Sequence, residues 1–132
     1  MAAVVGAAIV RGRRVLAARR TAPPETAGRW EFPGGKVEEG ESPEAAVVRE
    51  VREELCCDVA VTGWLPGEVA IGERHVLRVA IAAAADDVDP DPVEHDEVRW
   101  LEAGELESID WLEPDRPFLP HLRALLSTDG RG

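Results

Sequence analysis

Gly34-Gly35-Lys36-Val37-Glu38-Glu39-Gly40-Glu41 leads, after a short interval, into Arg49-Glu50-Val51-Arg52-Glu53-Glu54. If the second run is helical, Glu53 and Glu54 stand three and four residues beyond Glu50, so three carboxylates project from about one turn. Like charges at this spacing cost only a few tenths of a kcal/mol per pair, and Arg49 and Arg52 offset part of that. A solvated acidic face fits such a cost, and so does a cation site. The Gly-Gly loop favours the second, because glycine lets backbone carbonyls approach a ligand closely. Carbonyl and carboxylate oxygens are hard ligands that select Mg²⁺ or Mn²⁺, ions that usually keep waters and bind substrate phosphates.

The helix that must carry these glutamates has a start signal. Ser42 is a good N-cap and Pro43 suits the first helical position, although Ala45 at the third position means there is no capping box. Val47, Val48, Val51 and Leu55 share one stripe, with Glu50, Glu53 and Glu54 beside it. Upstream, Val4 to Val10 and Arg14 to Ala18 read as a hairpin around Gly12, and Thr21 to Gly28 as a loop before a short run from Arg29 to Phe32. Pro33-Gly34-Gly35 is expected to break the chain. Val59 to Leu65, Glu68 to Ile71, His75 to Ala84 and Val98 to Leu101 read as strands, and Asp86 to Asp96 as a solvated loop. A closing helix is expected from about Arg116 to Leu126, with Ser127 to Gly132 frayed.

The chain has 132 residues, with 15 basic against 26 acidic side chains and a formal charge of −11. That length suits one domain over 1–132, and hydrophobic residues at 45% can build a core. The acidity, with a sequence pI of about 4.7, excludes stable nucleic-acid binding through a basic stripe; a phosphate substrate would arrive with its cation. Cys56 and Cys57 are adjacent and read as reduced thiols. The apolar run of MAAVVGAAIVRGRR precedes its arginines and is too short to cross a bilayer, so a cytoplasmic location without a membrane partner is expected. Oligomeric state is left open. No repeat or low-complexity block interrupts an order of strands, acidic helix, strands and closing helix, which is mixed α/β or α+β.

Gly35, five residues, Glu41, seven residues, then Arg49-Glu50-Val51-Arg52-Glu53-Glu54 resembles the Nudix box, GX5EX7REUXEEXGU with U aliphatic. Arg19-Arg20, Trp30 to Gly35, Glu94 and Trp100 extend the resemblance to MutT-like members over nearly the whole chain. The box should close with Gly and an aliphatic residue, where Cys56 and Cys57 stand instead. That departure bears on the helix exit, where Gly commonly supplies a left-handed residue.

The resemblance implies a mixed β-sheet sandwiched between α-helices and a Mg²⁺-dependent hydrolase that converts nucleoside triphosphates to monophosphate and pyrophosphate. It implies Gly35, Glu50, Glu53, Glu54 and Glu94 as metal ligands, with Mn²⁺ a possible substitute. Glu50, then Glu53, would be the base, because a carboxylate that takes a proton from metal-activated water suits attack at phosphorus. Glu94 is an additional ligand or base by resemblance, or simply one carboxylate of an acidic loop. Glu41 and Arg49 would order loop and helix by charge pairing. Arg20 matches a substrate contact, though a strand-end arginine is also often just solvated. Asp115 occupies a base-recognition position; ionised it would only accept, which suits cytosine N4 and points to CTP and dCTP, with 8-oxo-dGTP also able to donate. Asp115 reads equally as a helix N-cap, and Trp30 or Phe32 either as base-stacking or as core. The resembled subgroup acts in nucleotide-pool sanitation. Other readings are a Nudix hydrolase of another diphosphate such as ADP-ribose, and a non-catalytic nucleotide-binding regulator.

Overall fold

The computed structural model describes residues 2–84 and 89–128. Alternation along β1 (Ala2–Arg11) sets the layers: Val5, Ala7 and Ile9 enter one core and Ala8 the other. β1 turns into β2 (Arg14–Arg20), pairing Val10 with Val15 and Arg11 with Arg14, so the expected hairpin forms with longer arms. Its other neighbour is β7 (His75–Ala84), which runs parallel to it from Ala2↔His75 to Val10↔Ala83. β2 carries β3 (Trp30–Glu31) and β8 (His95–Leu101), and β7 carries β5 (Val59–Trp64) and β6 (Val69–Ile71).

One correction concerns the Gly-Gly stretch. Gly34–Lys36 does not merely break the chain; it forms β4, antiparallel to β1 through Val5↔Gly35 and Gly6↔Gly34. A Cβ on Gly34 would fall on the Val5 carbonyl and the Gly6 Cα, so the pairing needs glycine there.

Helix α1 (Pro43–Leu55) begins as expected, with Ser42 Oγ accepting the Ala45 N–H at 3.1 Å. Its Val47, Val51 and Leu55 close the core on one face of the sheet. On the other face Leu119, Leu122 and Leu126 of α2 (Leu119–Thr128) pack with Val15, Ala17 and Trp111. Helices therefore flank a mixed sheet. The closing segment is a 3₁₀ turn over Glu113–Phe118 followed by α2, not one α-helix from Arg116, because Pro117 has no N–H to continue an α ladder. A second 3₁₀ turn spans Ala103–Ser108. Residues 86–88 of the expected acidic loop and 129–132 of the expected frayed end lie outside the described residues. No helix among the described residues is long and apolar enough to cross a membrane.

Cys56 takes the left-handed conformation, φ 53° and ψ 39°, and its N–H reaches the Arg52 carbonyl at 3.0 Å. A side chain in that region crowds its own carbonyl at a cost of about 1–2 kcal/mol. The Cys56 side chain is exposed, so removing it loses little packing. Cys56→Gly is therefore expected to raise unfolding stability by about 1 kcal/mol, net of glycine's extra chain entropy, in urea denaturation. A decrease would show that the exit is unstrained. Cys57, by contrast, is buried in the α1 core, where an aliphatic residue would serve.

Candidate active site

The loop between β4 and α1 is tied to the helix by one guanidinium. Arg49 Nε and Nη2 donate to the two oxygens of Glu41 at 2.7 and 3.0 Å, and Nη2 also reaches the Lys36 carbonyl at 3.0 Å. Its Nη1 donates to Glu50 at 3.1 Å and to Glu53 at 3.2 Å. This forked geometry is one that lysine cannot copy. Arg49, together with the Glu38 N–H, holds the Glu41 carboxyl below the usual carboxylate range. The supporting roles expected of Glu41 and Arg49 correspond to this contact set.

Glu50 lies against the backbone of Gly35, where a Cβ would land on the carboxylate itself. Glu54 comes next on the helix and is buried, because it falls seven residues after Val47 on the stripe that faces the sheet. Burial chiefly, then a hydrogen bond with Glu50 and the charges of Glu31, Glu50 and Glu94, pushes the Glu54 carboxyl far up. Glu53 points away from this group, with a side chain 57% exposed and its oxygen on Arg49.

Three adjacent strands complete the cluster. A register shift between Arg19 and Arg20 of β2 sets Arg20 opposite His95 of β8, and Glu31 comes from β3 on the same β2. Glu31 takes Arg20 Nη1 on one oxygen at 2.9 Å and His95 Nε2 on the other at 2.8 Å. Arg20 is further held by the Ala22 carbonyl and Thr26 Oγ1, at 3.1 and 3.2 Å. His95 Nε2 is 4.0 Å from Glu54. The Glu94 loop is anchored on the end of α1, where the Asp91 and Val93 N–H groups donate to the Leu55 and Glu54 carbonyls at 2.7 and 2.8 Å. Arg20, Glu31, Glu54, Glu94 and His95 line one cavity of about 440 Å³.

A second cavity, of about 460 Å³, shares Arg20, Glu31 and Gly34 with the first but is walled by Val4, Phe32, Ile71 and Leu77, with Lys36 and Asp115 also in its lining. The strap that carries Asp115 is bound to β3 through Trp30 N–H to the Asp110 carbonyl and Leu112 N–H to the Trp30 carbonyl, at 2.9 and 2.8 Å. Asp115 Oδ2 accepts the Phe32 N–H at 3.2 Å, a contact 83 residues distant in sequence, so its carboxyl does not cap its own helical turn. Burial, then the charge of Glu31, pushes the Asp115 carboxyl up to about 8, well above the range of the ionised, accept-only group expected from residue type. Trp30 is core, its ring covered by the guanidinia of Arg19 and Arg99 at 5.7 and 5.0 Å. Phe32 packs on Trp111, ring centroids 4.9 Å apart, and lines the apolar cavity.

Of the expected residues, Gly35, Glu50 and Glu54 meet at one point, Arg20 and Glu94 face the same acidic cavity, and Asp115 lies beyond Arg20 in the apolar one. Glu31 and His95 escaped sequence reading. The one local signal for Glu31 is a carboxylate set between two aromatic residues, and for His95 its place directly after Glu94. The donor set fits a hard divalent cation: around Glu54 the carboxylates of Glu31, Glu50 and Glu94 outnumber the two guanidinia that reach them, Arg20 and Arg49, and the space a Cβ would fill at Gly35 is taken by Glu50.

Comparison with known proteins agrees with this geometry. The NUDIX domain model matches residues 1–122. A Mycobacterium tuberculosis H37Rv protein named "Putative 8-oxo-dGTP diphosphatase 2" is 41% identical over 127 residues, spanning 94% of this chain and 89% of that protein. A protein named CTP pyrophosphohydrolase from Escherichia coli K12 is 39% identical over 115 residues, 87% of this chain and 78% of that one. The solution structure of the E. coli ORF135 protein superimposes with a TM-score of 0.80 at 30% identity, covering 100% of this chain and 95% of that chain.

Proposed function

The chain belongs to the NUDIX family of hydrolases, and from that premise we propose that it hydrolyses CTP, dCTP and 8-oxo-dGTP to the monophosphate and pyrophosphate, with Mg²⁺, in cytoplasmic nucleotide-pool sanitation. The observation that carries this reading is the pair of neighbouring cavities that share Arg20, Glu31 and Gly34, one lined by carboxylates and the other by apolar walls with Asp115. A nucleoside triphosphate has the same division: a polyanion that needs cations and a base that needs apolar walls with few polar groups. All of residues 1–132 would serve as one domain.

In this reading Gly35, Glu50, Glu53, Glu54 and Glu94 hold Mg²⁺, or Mn²⁺ in its place. The ion lowers the pKa of water and stabilises charge on phosphate oxygens. Glu50 accepts the proton in this reading, which its contacts support: it is half-buried, fixed by Arg49 and set against Gly35. Glu53, exposed on the outer side, is the weaker candidate. Arg20, oriented by Glu31 and lining both cavities, contacts a phosphate or the sugar side of the nucleotide.

Asp115 connects the two substrate classes. A neutral carboxyl donates one hydrogen bond and keeps acceptor capacity. Cytosine presents N4–H beside the N3 acceptor, and 8-oxoguanine presents N7–H beside O6. Ordinary guanine offers two acceptors, N7 and O6, on that edge. Asp115→Ala is expected to lower kcat/KM for CTP and 8-oxo-dGTP by roughly 10–100-fold, as for loss of about 1–3 kcal/mol of hydrogen bonding, whereas Asp115→Asn keeps both roles. Stability supplies the pH control. Below about pH 4 both states are protonated, and from there to about 8 the unfolded chain releases a proton that the folded one keeps, so wild-type stability falls across that window. Asp115→Asn should not share this fall, and its advantage in urea unfolding should widen from pH 4 to 8. A constant gap, with base preference unmoved by Asp115→Ala, would remove Asp115 from recognition.

A further inference from the structure

We propose that Glu31, Glu54 and His95 form a second cation site, next to the one assigned to the box glutamates and sharing Glu54 with it, that takes a borderline divalent ion of the Zn²⁺ or Co²⁺ kind. The three residues each present one ligand atom, and these atoms lie within 4.8 Å of one another. They come from β3, α1 and β8, regular elements that fix their geometry better than loops do. The three side chains are only 15%, 5% and 4% exposed, so water provides little of their solvation.

The surroundings are arranged for an ion. Arg20 occupies one oxygen of Glu31 and so orients the other toward His95, the outer contact that a ligating carboxylate usually has. Glu31, Glu54 and Glu94 share this cavity with Arg20, and Glu50 beside Glu54 is held by Arg49, so the carboxylates outnumber the guanidinia in a largely buried place. His95 Nδ1 is buried with no hydrogen-bond partner, so the ring's polar anchorage is Nε2, at the two carboxylates. An ion there takes the Nε2 lone pair, with Nδ1 as the ring's N–H. The cavity of about 440 Å³ supplies both an entry path and room for water ligands.

Imidazole decides the class. Mg²⁺ dehydrates reluctantly and prefers oxygen, whereas a nitrogen with two carboxylates suits Zn²⁺ and Co²⁺, with Mn²⁺ bound more weakly than either. This inference concerns metal binding without nucleotide and holds or fails apart from the substrate assigned above.

The test is a Co²⁺ titration of the nucleotide-free protein in excess Mg²⁺, followed by visible absorption. One equivalent of Co²⁺ should bind despite the Mg²⁺, with bands of a low-coordinate nitrogen-containing site, and Zn²⁺ should displace it. His95→Gln should weaken this binding by at least about 10-fold. A second measurement covers failure of that variant to fold: pulsed EPR of the Mn²⁺-loaded His75→Gln/His121→Gln protein, in which His95 is the one histidine left of three. Nitrogen coupling to Mn²⁺ supports the site. Competition of Mg²⁺ for all bound Co²⁺, unchanged Co²⁺ binding in folded His95→Gln, or absence of nitrogen coupling overturns it.

Discussion

Glu50→Gln is expected to lower kcat for nucleoside triphosphate hydrolysis by about 10²–10⁴-fold, the range that a positioned proton acceptor contributes. The amide keeps an oxygen for Arg49 Nη1, now 3.1 Å from the carboxylate, and nearly matches it in shape, so the fold should survive. Removing one negative charge beside buried Glu54 also relieves repulsion. Circular dichroism and melting temperature should therefore stay close to wild type while steady-state turnover collapses. Glu53→Gln makes the contrast: it is likewise expected to cut turnover through loss of a metal ligand, but by less, because Glu53 is exposed and faces Arg49. Glu50→Gln activity within a few-fold of wild type would remove Glu50 from the chemistry.

Gly35→Ala is expected to reduce kcat/KM by about 10²-fold, the loss typical of a reacting group moved by roughly 1 Å. The added Cβ would meet the Glu50 carboxylate, and the backbone has little freedom to retreat. Gly35 is paired with Val5 in the sheet, and neighbouring Gly34 packs so closely on β1 that even a Cβ there would fall on the Val5 carbonyl. The carboxylate, at the end of a flexible side chain, must yield instead. Activity should thus fall much further than stability, and Mg²⁺ should be needed at higher concentration for half-maximal rate. Equal losses in stability and activity would indicate disturbance of β4 pairing and not of the site.

Features carried by local chemistry were legible in the sequence. Ser42 and Pro43 marked the start of α1, alternation and turn residues marked the β1–β2 hairpin, and β7 was bounded at His75 and Ala84. The Nudix-like spacing identified Gly35, Glu50 and Glu54, which the fold brings together, because i, i+4 geometry is fixed once the helix forms. What escaped depends on partners far away in the chain. β4 exists because Gly34 fits under β1, and Glu31 meets His95 only across three strands, aided by the irregularity at Arg20. The upward shift of the Asp115 carboxyl follows from its burial beside Phe32, which residue type alone does not disclose. Likewise Cys56 performs the left-handed exit that its identity argued against, since the box geometry outweighs a local cost of about 1–2 kcal/mol.

The central claim, that neighbouring carboxylate-lined and apolar cavities hold a nucleoside triphosphate for cleavage into monophosphate and pyrophosphate, is tested most directly by product analysis. CTP, dCTP, 8-oxo-dGTP, dGTP and ADP-ribose would each be incubated with the wild-type protein and Mg²⁺, and the products separated by ion-exchange chromatography. The expected result is CMP, dCMP and 8-oxo-dGMP, each with one equivalent of pyrophosphate, formed faster than dGMP from dGTP and abolished by chelation of the metal. Release of diphosphate and inorganic phosphate, turnover of ADP-ribose alone, or binding of nucleotide without turnover would contradict it.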